Sequence, residues 1–350
     1  ARLCALDEAP DFADDADFSA SALRAAARSF NNHTAIRGND LAFMDLDLLP
    51  DEALESLGCI MRLAAAWCTV PTSSMLTQMS LLGKSRGGSR TIAILPTFYR
   101  LMMKSNSAVI QNWADEHAHA FVTAVKGCTA LQSQMWRSWR MEIAKLEKER
   151  VVEFLWDMEK FFDSVQIKIL MDQLNDHGYP AVLAAVGAVQ HRSPRVLKVG
   201  LTLSNTISGC GSSILAGCQQ SVSFVRGLTL SFALSLGYSM GREVSNCFQH
   251  VDDLAQVVAH KSGLKVVEAG VAIGLRVKAW AQKLRLKISP KSRILGFKEA
   301  RQIAERLRLQ GLPIKAATEG DDIGIATNGG RARVARGLNT RIWKGARRGK

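Results

Sequence analysis

The stretch "CFQHVDDLAQVVAH", Cys247 to His260, sets two adjacent carboxylates, Asp252 and Asp253, in an apolar, β-prone run. Neighbouring carboxylates repel, and burying either one uncompensated is costly. Two arrangements relieve that cost. One is a hairpin tip, where Asp is common and solvated. The other is a divalent cation, whose charge turns the repulsion into coordination. A second cluster, "LWDMEKFFDSV", places Asp157 at the end of an apolar strand. Two acids on neighbouring strands, drawn from segments far apart in sequence, suit two-metal phosphoryl transfer. Taken alone, Asp157 is as well explained as a helix N-cap, because a helix follows it. Asp163 reads as a surface or capping acid.

The bulk of the chain narrows the partners. Its 350 residues are 47% hydrophobic and 22% charged, an ordinary globular composition, and the formal net charge is +13. An excess of that sign points to a polyanion, either nucleic acid or an anionic membrane surface, with a merely soluble basic protein left open. No apolar run is long enough to span a bilayer, no basic amphipathic helix with an aromatic face stands out, and the acidic opening "ARLCALDEAPDFADDADF" is not a signal peptide. The first residue is not Met, so the chain is expected to be a piece of a longer protein. Seven cysteines without a CxxC pair indicate reduced thiols in an intracellular protein of nucleus or cytoplasm, not a secreted one, and speak against zinc knuckles. A metal would then be held by oxygen ligands.

The elements that must position these acids follow from periodicity. Residues 1–17 form an acidic lead-in. Helices are predicted over Phe18–Phe30 and Asp51–Val70, the second with acids in its first turn and Pro71 beyond its end. Met75–Lys104 reads as strand, Gly-rich turn at "SRGGSR", strand, helix. A long helical region covers Gln111–Arg150, and Val151 opens an apolar strand. "IKILMDQLNDHGYP" is a helix ending at Gly178 and Pro180. Strands over Arg195–Ile207 lead to a Gly/Ser loop and an apolar helix within Gly209–Met240. The acid pair then lies in a short strand pair. Helix Gly263–Leu284, strand "RLKISPKSRILGF" and helix Glu299–Leu309 follow, and the segment from Arg331 is basic. No repeat is evident. The alternation predicts an α+β fold with a mainly antiparallel sheet.

In that order the motifs resemble the reverse transcriptase domain of non-LTR (LINE-type) retrotransposons, from about Phe18 to about Gly330. "TAIRGND" (Thr34–Asp40) looks like the family's "KAPGPDG", and Trp67 with Pro71 like the Trp-Pro spacing before the fingers. "LLGKSRGGSRTIAILPTFYRL" is similar to "lpK.gg..yRPIsLlpvlyRl", and "VKGCTAL" (Val125–Leu131) to the Gly-rich segment between fingers and palm. "WDMEKFFDSV" is close to motif A, "DiekAFDsV". "ILAGCQQSVSFV" looks like motif B, "vrQGcpLSPllF". "FQHVDDLA" resembles motif C, "yaDDla". "LRLKISPKS" is similar to motif D and "GDDIGI" (Gly320–Ile325) to the motif E turn.

The resemblance implies a right-hand polymerase fold: fingers over 18–150, a palm over 151–300, and a motif E-like turn with a short or truncated basic thumb over 301–350. It implies RNA-directed DNA synthesis from dNTPs on an RNA template and a DNA primer. Asp157 and Asp252 would hold two Mg²⁺ ions, with Mn²⁺ as the alternative, and Asp253 would be an accessory acid. Backbone carbonyls of Met158 and Val251 would complete the shell. Phe162 would exclude a 2′-hydroxyl, and Lys84 and Arg90 would grip the triphosphate. Gly217, with Gln219 beside it, would let backbone approach the nucleotide or template. Lys291 would protonate the leaving pyrophosphate. Gly324 would touch primer, and Arg331 and Arg333 would meet phosphates. As bare residues, Phe162 also fits a core position, and Lys84, Arg90, Lys291 and the basic tail also fit solvated charges.

The sequence departs from the family at His250 for Tyr, Ala216 for Gln, Gln219-Gln220-Ser221 for Pro-Leu-Ser, and Thr91 for Pro. These leave the carboxylates intact, and they keep open a catalytically degenerate copy that only binds RNA or DNA. A further alternative, RNA-directed RNA synthesis, would use the Gly-Asp-Asp of "EGDDIGI". The run before it, "LPIKAATE", is not an apolar strand, so Asp321 and Asp322 are expected at a surface turn. Endonuclease, RNase H and zinc-knuckle segments are not visible in these residues, and other domains of a longer polyprotein are left open as partners.

Overall fold

The structure is a computed structural model and describes residues 16–38, 40–83, 89–125, 127–239, 245–322 and 325–328. It is an α+β fold whose chain divides into two compact units that alternate along the sequence: Ala1–His117 with Phe162–Leu228, and Ala118–Phe161 with Thr229–Lys350. In chain order, the first segment carries α1 (Ala20–Arg28), α2 (Phe43–Asp47), α3 (Asp51–Ala66), strands β1 (Thr77–Gly83) and β2 (Ser89–Ile94), α4 (Thr97–Ser105) and α5 (Ser107–Glu116). The next carries α6 (Ala130–Leu146) and β3 (Arg150–Trp156). There follow α7 (Phe161–Ser164), α8 (Ile167–Asp176), α9 (Ala181–Arg192), β4 (Arg195–Val199), β5 (Thr202–Leu203) and α10 (Ser221–Ser239). The last segment holds β6 (Ser245–His250), β7 (Asp253–His260), α11 (Gly263–Lys283), β8 (Arg293–Leu295), α12 (Lys298–Leu309), β9 (Lys315–Ala317), β10 (Glu319–Asp322) and β11 (Ile325–Asn328).

The first unit is built on a four-stranded sheet in the order β2-β1-β4-β5. The β1–β2 hairpin is antiparallel, whereas β1 and β4 run parallel, Thr77 opposite Arg195. That parallel pair is the fold's first departure from the antiparallel expectation. It is locked by a buried polar cluster in which Gln190 Nε2 donates to Thr77 Oγ1 (3.0 Å) and to Ser193 Oγ (3.2 Å). The "TAIRGND" segment is tied in by Arg37, 5% exposed, which donates to the Leu76 carbonyl (2.6 Å) and pairs with Asp40.

The second unit is built on a five-stranded sheet in the order β6-β7-β3-β8-β9, antiparallel except for β8 with β9. Strand β3 explains its own apolar run: every residue from Val151 to Trp156 is buried. Val151 packs with Met141 and Ala144 of α6. Alternate residues point the other way, and Phe154 approaches Gly270 of α11. A strand covered on both faces reads as a continuous apolar run, not an alternating one. The exception is Glu153, fully buried, whose carboxylate lies 3.2 Å from the equally buried Arg137 of α6.

Three sequence expectations shift. The long helix over Gln111–Arg150 is two helices, because residues 117–125 and 127–129 leave helical geometry and Val122 bridges to the edge of β6 at Gln249. The strand "RLKISPKSRILGF" shrinks to Arg293–Leu295, because the chain turns at Pro290 and Lys291. Asp321 and Asp322 lie not at a turn but in β10, paired with Ala326 and Ile325 of β11. Among the described residues no helix is long and apolar enough to cross a membrane.

Candidate active site

The acids of the second unit come together through strand pairing. β3 and β7 run antiparallel with Trp156 opposite Leu254, so Asp157 and Asp253 are the next residues out at the same end of both strands. β6 and β7 form a hairpin whose last rung is His250 with Asp253, leaving Val251 and Asp252 as its two-residue connection. Such connections call for positive φ, usually met by Gly, Asn or Asp. Here the β-branched Val251 carries it, at +57°. The hairpin tip inferred from the sequence is therefore present, and it brings the acid pair beside Asp157.

Asp157 is held by its backbone. Its N–H donates to Ser292 Oγ (3.0 Å), and its carbonyl accepts from Ser289 N–H (2.8 Å) and Ser292 Oγ (3.1 Å). Glu159 N–H donates to the Lys287 carbonyl (2.8 Å), so Met158 bridges Ile288 as a pair without mutual hydrogen bonds. In that antiparallel pattern the N–H and C=O of Met158 turn to the opposite edge of the strand, the edge on which β7 lies. Met158, Val251 and Asp252 line one cavity of about 10 Å³. The carbonyl of Val251 accepts from Gln249 Nε2 at 3.0 Å, which occupies one of its two lone pairs. Lys291 is exposed, in the loop that clasps Asp157, and its N–H donates to Ser289 Oγ (3.1 Å). His250, where the resemblance expects Tyr, sets its Nδ1 3.3 Å from Thr123 Oγ1.

The remaining expected residues lie in the first unit or outside the described residues. The loop bearing Gly217 docks on β2: Ala93 N–H donates to the Ala216 carbonyl at 2.7 Å. Gly217 has φ +107°, and a Cβ there would stand 2.7 Å from the Ala93 carbonyl oxygen, so both the turn and the close approach require glycine. The same loop is held from behind. Ile214 N–H donates to the Phe162 carbonyl (2.8 Å), and Leu215 N–H donates to His191 Nδ1 (3.2 Å). Phe162 itself is half-buried in α7. Gln219 is exposed and donates to the Met103 carbonyl at 3.4 Å. Arg90 lies in β2 opposite Leu82. Lys84, Gly324, Arg331 and Arg333 lie outside the described residues.

Burial sets the protonation of this loop's supports. His191 is fully buried, and desolvation first, then the nearby Arg195 charge, lowers its pKa to about 3, so it is neutral and its Nδ1 can accept. Cys218 is likewise pushed up by burial, and its Sγ lies 3.3 Å from the Tyr99 hydroxyl.

Among the described residues no three or more His, Cys, Asp and Glu side chains gather into a metal-holding group. Mg²⁺ does not need one: it is commonly bound through one or two carboxylates, with water and substrate phosphates supplying the rest. Asp157, Asp252, Asp253 and the Met158 carbonyl offer only oxygen donors, the chemistry that Mg²⁺ takes, although the three side chains do not themselves close into such a group. Sequence reasoning passed over Ser289, Ser292 and Gln249. The only signal for them was small or polar residues beside a Pro turn and beside the acid pair.

No protein-family model matches this chain, and no curated protein matches it in sequence.

Proposed function

We propose that the chain is an RNA-directed DNA polymerase with a right-hand fold, of the reverse transcriptase type found in non-LTR retrotransposons. The observation that carries this reading is the convergence of Asp157 with Asp252 and Asp253, about a hundred positions away in sequence, at one end of two paired strands. Asp157, Asp252 and the Met158 carbonyl would hold two Mg²⁺ ions, with Asp253 as the accessory acid. The ions would supply charge neutralisation for a triphosphate and a lowered pKa for a primer 3′-hydroxyl.

The other roles belong to the chain's own groups. The Phe162 ring excludes a 2′-hydroxyl and so selects dNTPs. Lys84 and Arg90 hold the triphosphate, and Gly217 lets backbone lie against nucleotide or template. Lys291, exposed and carried by the loop that clasps Asp157, returns a proton to the pyrophosphate leaving group. Gly324, Arg331 and Arg333 contact primer and phosphates, and the net charge of +13 supports a nucleic-acid partner. The test is extension of a DNA primer on an RNA template with dNTPs, with and without chelator.

A second reading is a polymerase-fold protein that binds RNA or DNA without synthesis. It is favoured by Gln220, at a position where the family has an apolar residue. Here it is fully buried and bonded to the Leu183 carbonyl (3.3 Å), a packing role. That reading expects binding with a steep salt dependence and no extension.

A further inference from the structure

We propose that Gln249 is a positioning residue: its buried carboxamide holds the hairpin tip in the conformation that presents Asp252. The inference rests on the polymerase reading above for its catalytic consequence, and on geometry for the rest.

Gln249 is 3% exposed and fixed from both sides. Its own N–H donates to the Phe121 carbonyl (2.7 Å), and its carbonyl accepts from Thr123 N–H (2.8 Å) and Thr123 Oγ1 (2.9 Å). From that anchored backbone the side chain reaches two residues forward. Nε2 donates to the Val251 carbonyl (3.0 Å) and to Thr229 Oγ1 (2.6 Å). The Val251 carbonyl can only accept, so the amide nitrogen must face it. The other end of the amide, Oε1, is buried without a protein donor.

A buried acceptor with no donor is costly, and an apolar side chain of similar volume would avoid the cost. The amide is therefore explained by what its nitrogen does. What it does is hold Val251 at φ +57°, a conformation that a β-branched residue takes only when its surroundings impose it. Gln249 also lines the cavity of about 10 Å³ that Met158 and Asp252 share. The anchoring runs from Phe121 and Thr123 through Gln249 to Val251, and Asp252 is the next residue.

The test is a cycle of Gln249→Met, Val251→Gly and the double variant in the full chain. Gln249→Met keeps the volume and removes the donor. Val251→Gly removes the cost of positive φ, so the tip no longer needs the donor to hold it. For Gln249→Met the expected result is a fall in kcat for primer extension on the order of a hundredfold, with KM for dNTP unchanged. The double variant is expected to recover most of that loss. Unchanged kcat in Gln249→Met, or no recovery in the double variant, overturns the proposal, because a packing role would not respond to glycine at position 251. If the wild-type chain shows no extension, the polymerase reading fails and the positioning claim is read from amide hydrogen exchange. Faster exchange at His250 and Asp253 in Gln249→Met, with β3 unchanged, then supports it, and unaltered exchange there overturns it.

Discussion

Asp157 and Asp253 stand side by side, one residue beyond the Trp156–Leu254 pair, at the same end of two hydrogen-bonded strands. Nothing local brings them together. β3 is placed by burial on both faces, β7 by its hairpin with β6, and the pairing of the two strands does the rest. Asp157 and Asp253 are thus set by the pairing of two strands, and groups mounted on strands are placed more precisely than groups on loops.

Ser292 is the residue that holds Asp157 from behind. It is 2% exposed, and its hydroxyl accepts from the Asp157 N–H and donates to the Asp157 carbonyl. Ser292→Ala removes the acceptor of the Asp157 N–H and leaves the Asp157 carbonyl with Ser289 N–H, and should cost about 1–3 kcal/mol. Urea unfolding measures that loss. Primer extension should fall further than stability alone explains, because the backbone carrying Asp157 is released.

Gly217→Ala combines two penalties, a side chain at φ +107° and a Cβ 2.7 Å from the Ala93 carbonyl oxygen. The loop must leave β2 or strain against it, at a cost of about 1–3 kcal/mol. A lowered thermal midpoint is the expected result. A midpoint equal to wild type would mean the loop does not dock on β2.

The Arg137–Glu153 pair fixes α6 on the sheet from inside. Removing Arg137 takes a counterion from the buried Glu153, so Arg137→Met should destabilise by about 3–5 kcal/mol. The double variant Arg137→Met/Glu153→Leu should regain most of it, because it removes the second buried charge as well. Chemical denaturation of the two variants tests the difference.

His191 makes stability pH-dependent. Its folded pKa, about 3, lies below the ordinary histidine value of 6.5. Between those values the unfolded chain binds the proton and the folded one does not. The contribution of His191 is therefore complete above about pH 6.5 and declines as pH falls toward 3, with a slope up to about 1.4 kcal/mol per pH unit. Unfolding free energies at pH 7 and pH 4.5 give the decline. His191→Gln, which keeps an acceptor for Leu215 N–H but does not titrate, should flatten it.

Local pattern carried much of this structure. The acid pair reads as a strand-flanked tip because β-prone residues surround it, and most helices read from their spacing and caps, as with Ser19 accepting from Ala22 N–H ahead of α1. What failed depends on distant partners. The parallel β1–β4 pair joins segments more than a hundred residues apart, and no local period records that. Helix α9, "AVLAAVGAVQHR", carries no amphipathic period, because its apolar residues do not fall on one face. The break after His117 lays Phe121–Thr123 along β6, a demand set by the sheet and not by those residues. For the same reason the candidate acids were legible, whereas Ser289, Ser292 and Gln249, which act only through backbone they touch in three dimensions, were not.

The most direct measurement is extension of a DNA primer annealed to an RNA template, with dNTPs and Mg²⁺, comparing wild type with Asp157→Ala and Asp252→Ala at matched folded concentration. The account predicts chelator-sensitive extension by wild type and its loss, on the order of a thousandfold or more, in both variants with nucleic-acid binding retained. Extension at the wild-type rate by either variant, or nucleic-acid binding without any extension by wild type, would contradict it.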